Sequence, residues 1–411
     1  MSDPIPASSG TVSADGAPPK RESDARKLRL ATYNVEWFTH LFDRHDRLKY
    51  DDKWSARYNV TRAQQADAVA AVLSAVDADL FLITEAPNDG VKSKRSTVQA
   101  LEHFASVYRL RQRKALIGFP SPTYQEIALL YDPERLEARH DPIGEPLTAE
   151  AAAEVEPFHR SDEHAWGQVF PGAPRFDGVF PWDVDGAGGE PGERELNLFS
   201  KPPLEAAVRD RVFGWDFRLI GAHLKSKNPR FNGPEKTISA EELESAALDT
   251  RRKHLGQSVW LRARVAEHLA AGENLVVLGD FNDGPGLDAY EAELGHSGLD
   301  LIYGAEAPPE DQLAMPGERM HPTTRFWRRD IEAYDEAAID FVLLSRELAA
   351  RCDPAWTVWH PDAEPRVAGN PALRQAIETA SDHYPVSVDL DASALSQKTP
   401  EPPAERSTGG P

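Results

Sequence analysis

Cysteine is almost missing from this chain. One, Cys352, stands among 411 residues. That excludes an intrachain disulfide framework and any multi-cysteine zinc site, and Cys352 itself reads as a small buried hydrophobe. Long apolar runs are missing too. None approaches the roughly 18 residues that span a bilayer, so no membrane partner is expected. The opening stretch, MSDPIPASSGTVSADGAPPKRESDARK, lacks the apolar core of a secretory signal. Together these absences predict a soluble protein of a reducing cytoplasm. Positive charge is also scarce: 46 Lys and Arg against 67 Asp and Glu leave a net charge of −21. This argues against a general polyanion-coating surface, but says little about any single cleft.

Residues 1–27 and 392–411 are rich in Ser, Pro and charge and poor in large apolar residues. They read as disordered tails around one catalytic domain spanning 28–391. Inside it, short apolar runs alternate with amphipathic stretches. LRLATYNV, DLFLITE, EIALLYD, FRLIGAHL, NLVVLGDF, IDFVLLS and YPVSVDL read as strands. DLFLITE is apolar on both faces and so is expected to be central. Ala66, Val69, Ala70, Leu73 and Val76 repeat at helical spacing, with Thr61 as N-cap and Asp77–Asp79 as the stop. A longer helix is expected between Ser239 and Ala271. Residues 141–195 carry thirteen acidic and three basic residues and much Pro and Gly. They read as an acidic surface insertion, partly ordered by Trp166, Phe170, Phe176, Phe180 and Trp182.

Polar residues recur at the ends of the apolar runs: Asn34, Glu85, His223, Asp280 with Asn282, Asp340, and Ser381-Asp382-His383. Each alone suits a turn or a cap. Together, carboxylates, amides and two histidines at several strand rims form the inventory of a metal-assisted hydrolytic site. A phosphodiester anion repels an attacking water. A hard divalent cation on carboxylates neutralises the phosphate oxygens, and a histidine steadied by a carboxylate moves the proton.

In order, TYNVEWF, LFLITE, TYQEIALLYDP, AHLKSK, VVLGDFND, AIDFVLLS and SDHYPV resemble the successive motifs of the endonuclease/exonuclease/phosphatase superfamily, in its deoxyribonuclease I-like branch. The resemblance implies a four-layered α/β sandwich: two mostly antiparallel sheets face to face, with helices outside. It further implies Glu85 as principal Mg²⁺ ligand (Mn²⁺ as substitute), helped by Asn34 and Asp382. Asp280 and Asn282 would flank the scissile phosphate, two residues apart on extended backbone and so pointing the same way. His383 would pair with Asp340, and His223 with Glu126. Tyr124 would be the site tyrosine. Lys201 falls where relatives place a phosphate-contacting arginine, and Lys225 and Arg230 follow as further phosphate contacts. A monomer is implied.

The reaction expected from this resemblance is attack by a water activated at His383–Asp340, with His223 as general acid. Three basic clusters bear on the substrate. Arg109, Arg111 and Arg113 would share one face of a strand. KSKNPR follows His223, and RFWRR interleaves arginine with two aromatics, which suits phosphate contact and base stacking. They favour a nuclease acting on DNA or RNA. The alternative is a phosphomonoesterase or small-molecule phosphodiesterase whose acidic insertion keeps long polyanions out.

Overall fold

The computed structural model describes residues 26–89, 95–121, 123–142, 179–183, 194–229, 239–317, 320–328 and 332–395. Most of the expected tails and most of the acidic insertion lie outside the described residues. In chain order the strands are β1 (Lys27–Asn34), β2 (Leu80–Ala86), β3 (Lys114–Ile117), β4 (Glu126–Tyr131), β5 (Leu136–His140), β6 (Val179–Asp183), β7 (Arg194–Leu198), β8 (Leu204–Asp210), β9 (Asp216–His223), β10 (Leu275–Asp280), β11 (Leu313–Ala314), β12 (Thr324–Arg328), β13 (Ala333–Ala337), β14 (Asp340–Ser345), β15 (Ala355–Val358) and β16 (Val386–Asp391). The helices are α1 (Arg62–Val76), α2 (Thr97–Tyr108), α3 (Ala240–Ala270), α4 (Ala289–Leu294), α5 (Gly298–Tyr303), α6 (Arg346–Cys352), α7 (Pro365–Ala368) and α8 (Pro371–Ala380).

Two six-stranded sheets form, ordered β15-β16-β1-β2-β4-β3 and β11-β14-β10-β9-β8-β5. Each is mostly antiparallel, with one parallel pair: β1 with β2, and β9 with β10. The layering follows from strand periodicity. Leu28, Leu30, Leu80 and Leu82 point from the first sheet into a core shared with Leu219, Val276, Leu278 and Val342 of the second. The alternate residues Ala31, Tyr33, Phe81 and Ile83 pack outward against α1, α2 and α8. On the far side Ile220, Ala222, Val277 and Phe341 pack against Leu261 and Val265 of α3. Strands buried on both faces read as continuous apolar runs for this reason, and the four expected layers result. Gly221 sets how closely the sheets meet, since a Cβ there would lie 2.3 Å from Leu82 Cδ1.

The helix signals hold. Thr61 closes a capping box with Gln64, and Ser239 does so with Glu242 at the start of α3. Deep under α3, Arg264 donates from Nε and Nη2 to the two oxygens of Glu205 on β8, both at 2.9 Å. The folded chain runs past the expected boundary at 391: 392–395 form a 3₁₀ turn that buries Ala392 and Leu395. The expected arginine strand is corrected. Arg109 caps the C-terminus of α2 in left-handed conformation, and Arg111 is held by Asp77, Asp79 and Asp132. Neither belongs to a shared strand face. Among the described residues, no helix is long and apolar enough to cross a membrane.

Candidate active site

The parallel pairs bring the C-terminal ends of β1, β2, β9 and β10 to one rim of the sandwich. The antiparallel β14 and β16 begin at that same rim. Asn34, His223, Asp280, Asp340 and His383 therefore meet, although up to 349 positions separate them in sequence. Asn34 Nδ2 donates to Asp280 Oδ2 at 3.0 Å, a bond that joins the two sheets. Asp280 is aimed by Gly279, whose φ of 145° and approach to Ala222 leave no room for a side chain: a Cβ would lie 1.8 Å from the Ala222 carbonyl oxygen.

At the centre, His383 Nδ1 and Asp340 Oδ2 are hydrogen-bonded at 2.8 Å. The Thr323 hydroxyl accepts from the backbone N–H groups of Ile339 and Asp340 and donates to the same Asp340 oxygen. Ser381 Oγ donates to the Asn34 carbonyl and accepts from His383 N, so it ties the SDH turn to the end of β1. Asp280, Asp340 and His383 are all buried, and one ligand atom of each lies within 4.8 Å of the others.

Burial alone would lower the His383 pKa, but the charge and hydrogen bond of Asp340, with Asp382 and Asp280 beside it, hold it well above the usual value. Burial and the Asp340 charge push Asp280 up to about 7. His223 moves the other way, lowered by burial and then by Lys201 and His383. Lys201 is thus within electrostatic reach of both His223 and Asp280. Opposite shifts on two neighbouring histidines suit proton transfer chemistry.

Several expected placements change. Glu126 does not hold His223. Its carboxylate accepts from Ser121 N at 2.7 Å and Asp89 N at 3.1 Å, and burial pushes it up to about 8. Among the described residues, His223 Nδ1 is buried with no hydrogen-bond partner, while Nε2 lies 3.3 Å from Asp280 Oδ2. Asn282 does not continue the strand beside Asp280. It is left-handed (φ 52°), and its amide donates to the Leu224 carbonyl. Tyr124 is 62% exposed and left-handed, outside the buried group. Lys225 donates from Nζ to the Ser226 carbonyl. Arg230 lies outside the described residues.

Glu85 is turned out by a bulge. Between the pairs Ile83–Ala128 and Ala86–Glu126, β2 has one residue more than β4, and Glu85 takes φ 55°. Its Oε2 accepts from Trp37 N at 2.8 Å. Nearby, Glu36 binds Arg57 and accepts from Asp382 N. Burial and the Asp382 charge raise Glu36 to about 7. Among the described residues, Asn34 Oδ1 and Asp382 Oδ1 are buried with no hydrogen-bond partner. Orphaned buried oxygens are the donor type a hard divalent cation takes, so these residues fit one. Thr323 and Arg57 escape sequence reading because nothing local marks a residue that acts by orienting another, and Ser381 is read there only as part of the SDH turn.

The ribbon of β12 and β13 stands beside this group. Thr324 bridges to His383, and Arg325 N and Thr324 Oγ1 both donate to the Asp382 carbonyl. Phe326, Trp327 and Tyr334 are exposed on it, and Arg325 lies over the Tyr334 ring at 4.6 Å.

A family model described as the Endonuclease/Exonuclease/phosphatase family matches residues 31–383. Among solved structures, D. rerio TDP2 humanized by 14 mutations is 13% identical, with 89% of this chain and 99% of that chain covered, at a TM-score of 0.43. An endonuclease/exonuclease/phosphatase family protein from Bacteroides thetaiotaomicron is 13% identical over 89% and 97%, at 0.41. The human Nocturnin catalytic domain with bound sulfate anion is 14% identical over 89% and 93%, at 0.42. No curated protein matches the chain.

Proposed function

This chain belongs to the endonuclease/exonuclease/phosphatase family and is a phosphoric ester hydrolase, and we propose that it is a Mg²⁺-dependent phosphodiesterase acting on nucleic acid, DNA foremost. The observation that carries the substrate class is the β12–β13 ribbon, hydrogen-bonded to the SDH turn. It sets exposed aromatic rings and arginines beside the buried Asp–His group, where bases stack and phosphates pair. A small phosphomonoester needs no such flank.

Glu85, Asn34 and Asp382 would hold the cation, which neutralises the phosphate oxygens when bound. The remaining work belongs to the chain. Asp340 keeps the Nδ1 proton of His383, and the three carboxylates around the ring hold a proton on Nε2 as well. That imidazolium gives its Nε2 proton to the leaving oxygen. Lys201 meets charge developing on the phosphate, and Asn282, fixed to Leu224, shapes the loop after Asp280. His223, held neutral by burial beside Asp280, accepts the proton of the attacking water, so the two histidines exchange the roles expected from sequence.

The test is conversion of supercoiled plasmid by the purified protein with Mg²⁺, beside EDTA and His383→Ala controls. Nicking absent from both controls is expected. Intact plasmid with turnover of a small phosphomonoester would overturn the nucleic-acid reading and favour gating by the acidic 141–195 segment.

A further inference from the structure

Next to Glu85 the chain forms a second lined surface. Trp37, Trp54, Tyr124, Lys49, Arg62 and Arg95 border an open hollow of about 400 Å³, within the usual range of ligand sites. It adjoins the metal-binding rim directly, because Trp37 N donates to the Glu85 carboxylate. The rings are not packed away: Trp54 is 64% exposed, Tyr124 62% and Trp37 41%. Trp37 and Tyr124 both hold left-handed backbone, at φ 55° and 60°. Bulky residues adopt that conformation only where the surroundings impose it, and such positions cluster at functional sites.

The charge of the hollow is as unusual as its rings. In a chain of net charge −21, three cations crowd here. Lys49 is lowered by burial and then by repulsion from Arg62 and Arg95, and His40 is lowered by burial and all three. Asp51 pairs with Arg62 and Asp46 with Arg95, but Lys49 has no ion pair among the described residues. Arg95 Nη2 is buried without a hydrogen-bond partner among the described residues. Unspent positive charge beside exposed rings is the combination that holds an unpaired base and its phosphate.

We propose that this hollow is the subsite for the nucleotide adjoining the scissile phosphate, its unpaired base against Trp54 and its phosphate on Lys49 and Arg95. The assignment rests on the phosphodiesterase reading and names the groups that hold the strand beside the cleaved bond.

The experiment is binding, without metal, of eight-nucleotide single strands carrying 2-aminopurine at each position in turn. Wild-type protein should quench the probe at one position. Trp54→Ala should abolish that quench and weaken binding about tenfold or more, while Trp54→Phe should restore most of both. Lys49→Gln should weaken binding and lower the slope of log affinity against log salt by about 0.7. Trp54 is exposed, so its truncation leaves folding intact, checked by an unchanged melting temperature. Wild-type quench and affinity in both Trp54→Ala and Lys49→Gln, with plasmid cleavage intact, would overturn the subsite and leave the function standing. A wild-type protein that neither binds nor cleaves any strand would remove both readings.

Discussion

Replacing Asp340 with asparagine should remove one charge and almost nothing else. Asp340 Oδ2 receives two protons, from His383 Nδ1 and from the Thr323 hydroxyl, each at 2.8 Å. The Thr323 hydroxyl already accepts from the N–H groups of Ile339 and Asp340, so its own proton goes to Asp340 Oδ2 at 2.8 Å in preference to the Ala337 carbonyl at 3.5 Å. An asparagine therefore has one acceptable orientation, with its carbonyl where Oδ2 stands, and both bonds survive. Its amide nitrogen takes the place of Asp340 Oδ1, which has no hydrogen-bond partner to lose. What disappears is the anion beside the imidazolium. Two unit charges 4 Å apart at an effective dielectric of 20 attract by about 4 kcal/mol, which is roughly a thousandfold in rate. Initial rates on bis(p-nitrophenyl) phosphate with Mg²⁺ should fall by about that factor, with the melting temperature little changed. Asp340→Ala should lose as much activity and also stability, since it strands both donors. If Asp340→Asn keeps kcat within tenfold of wild type, the charge is not used and the proton does not pass through His383.

Two further substitutions separate architecture from chemistry. Glu126→Ala strands the N–H groups of Ser121 and Asp89. It should lower stability by about 1–3 kcal/mol while leaving kcat within about tenfold; a thousandfold loss would make Glu126 the partner of His223 after all. Arg264→Leu removes both guanidinium hydrogen bonds from the buried Glu205 carboxylate, which should cost about 3–5 kcal/mol in urea unfolding. Adding Glu205→Leu should recover most of that loss, and a double variant as unstable as the single would refute the pairing.

The strands that sequence reading locates are those buried on both faces, where apolar runs are continuous. It passes over β3, β5 and β15, edge or near-edge strands whose exposed positions dilute the pattern. It also passes over β8, whose LEAAVRD favours a helix until β5 and β9 pair with it. The Asp340–His383 pair was legible through the motifs that carry it, whereas the Asn34–Asp280 bond was not: sequence put both residues at strand ends without joining them. Glu126 was misassigned because its rim position is right but its carboxylate is spent on local backbone, a hydrogen-bond choice no motif encodes. Arg111 was misjudged for a related reason: it looked free until the tertiary fold placed three aspartates around it. The hollow lined by Trp37 and Trp54 has no motif, only a fold that gathers it.

In the first sheet β1 lies between β2 and β16, so the earliest strand to emerge during synthesis waits for the last to complete its pairing. The SDH turn precedes β16 by only a few residues. A ribosome adding about 5–20 residues per second would thus carry an incomplete and inert enzyme until the SDH turn had been made. For a phosphoric ester hydrolase, this order of assembly is a safeguard in time: hydrolytic competence arrives only when almost all of the domain has been made.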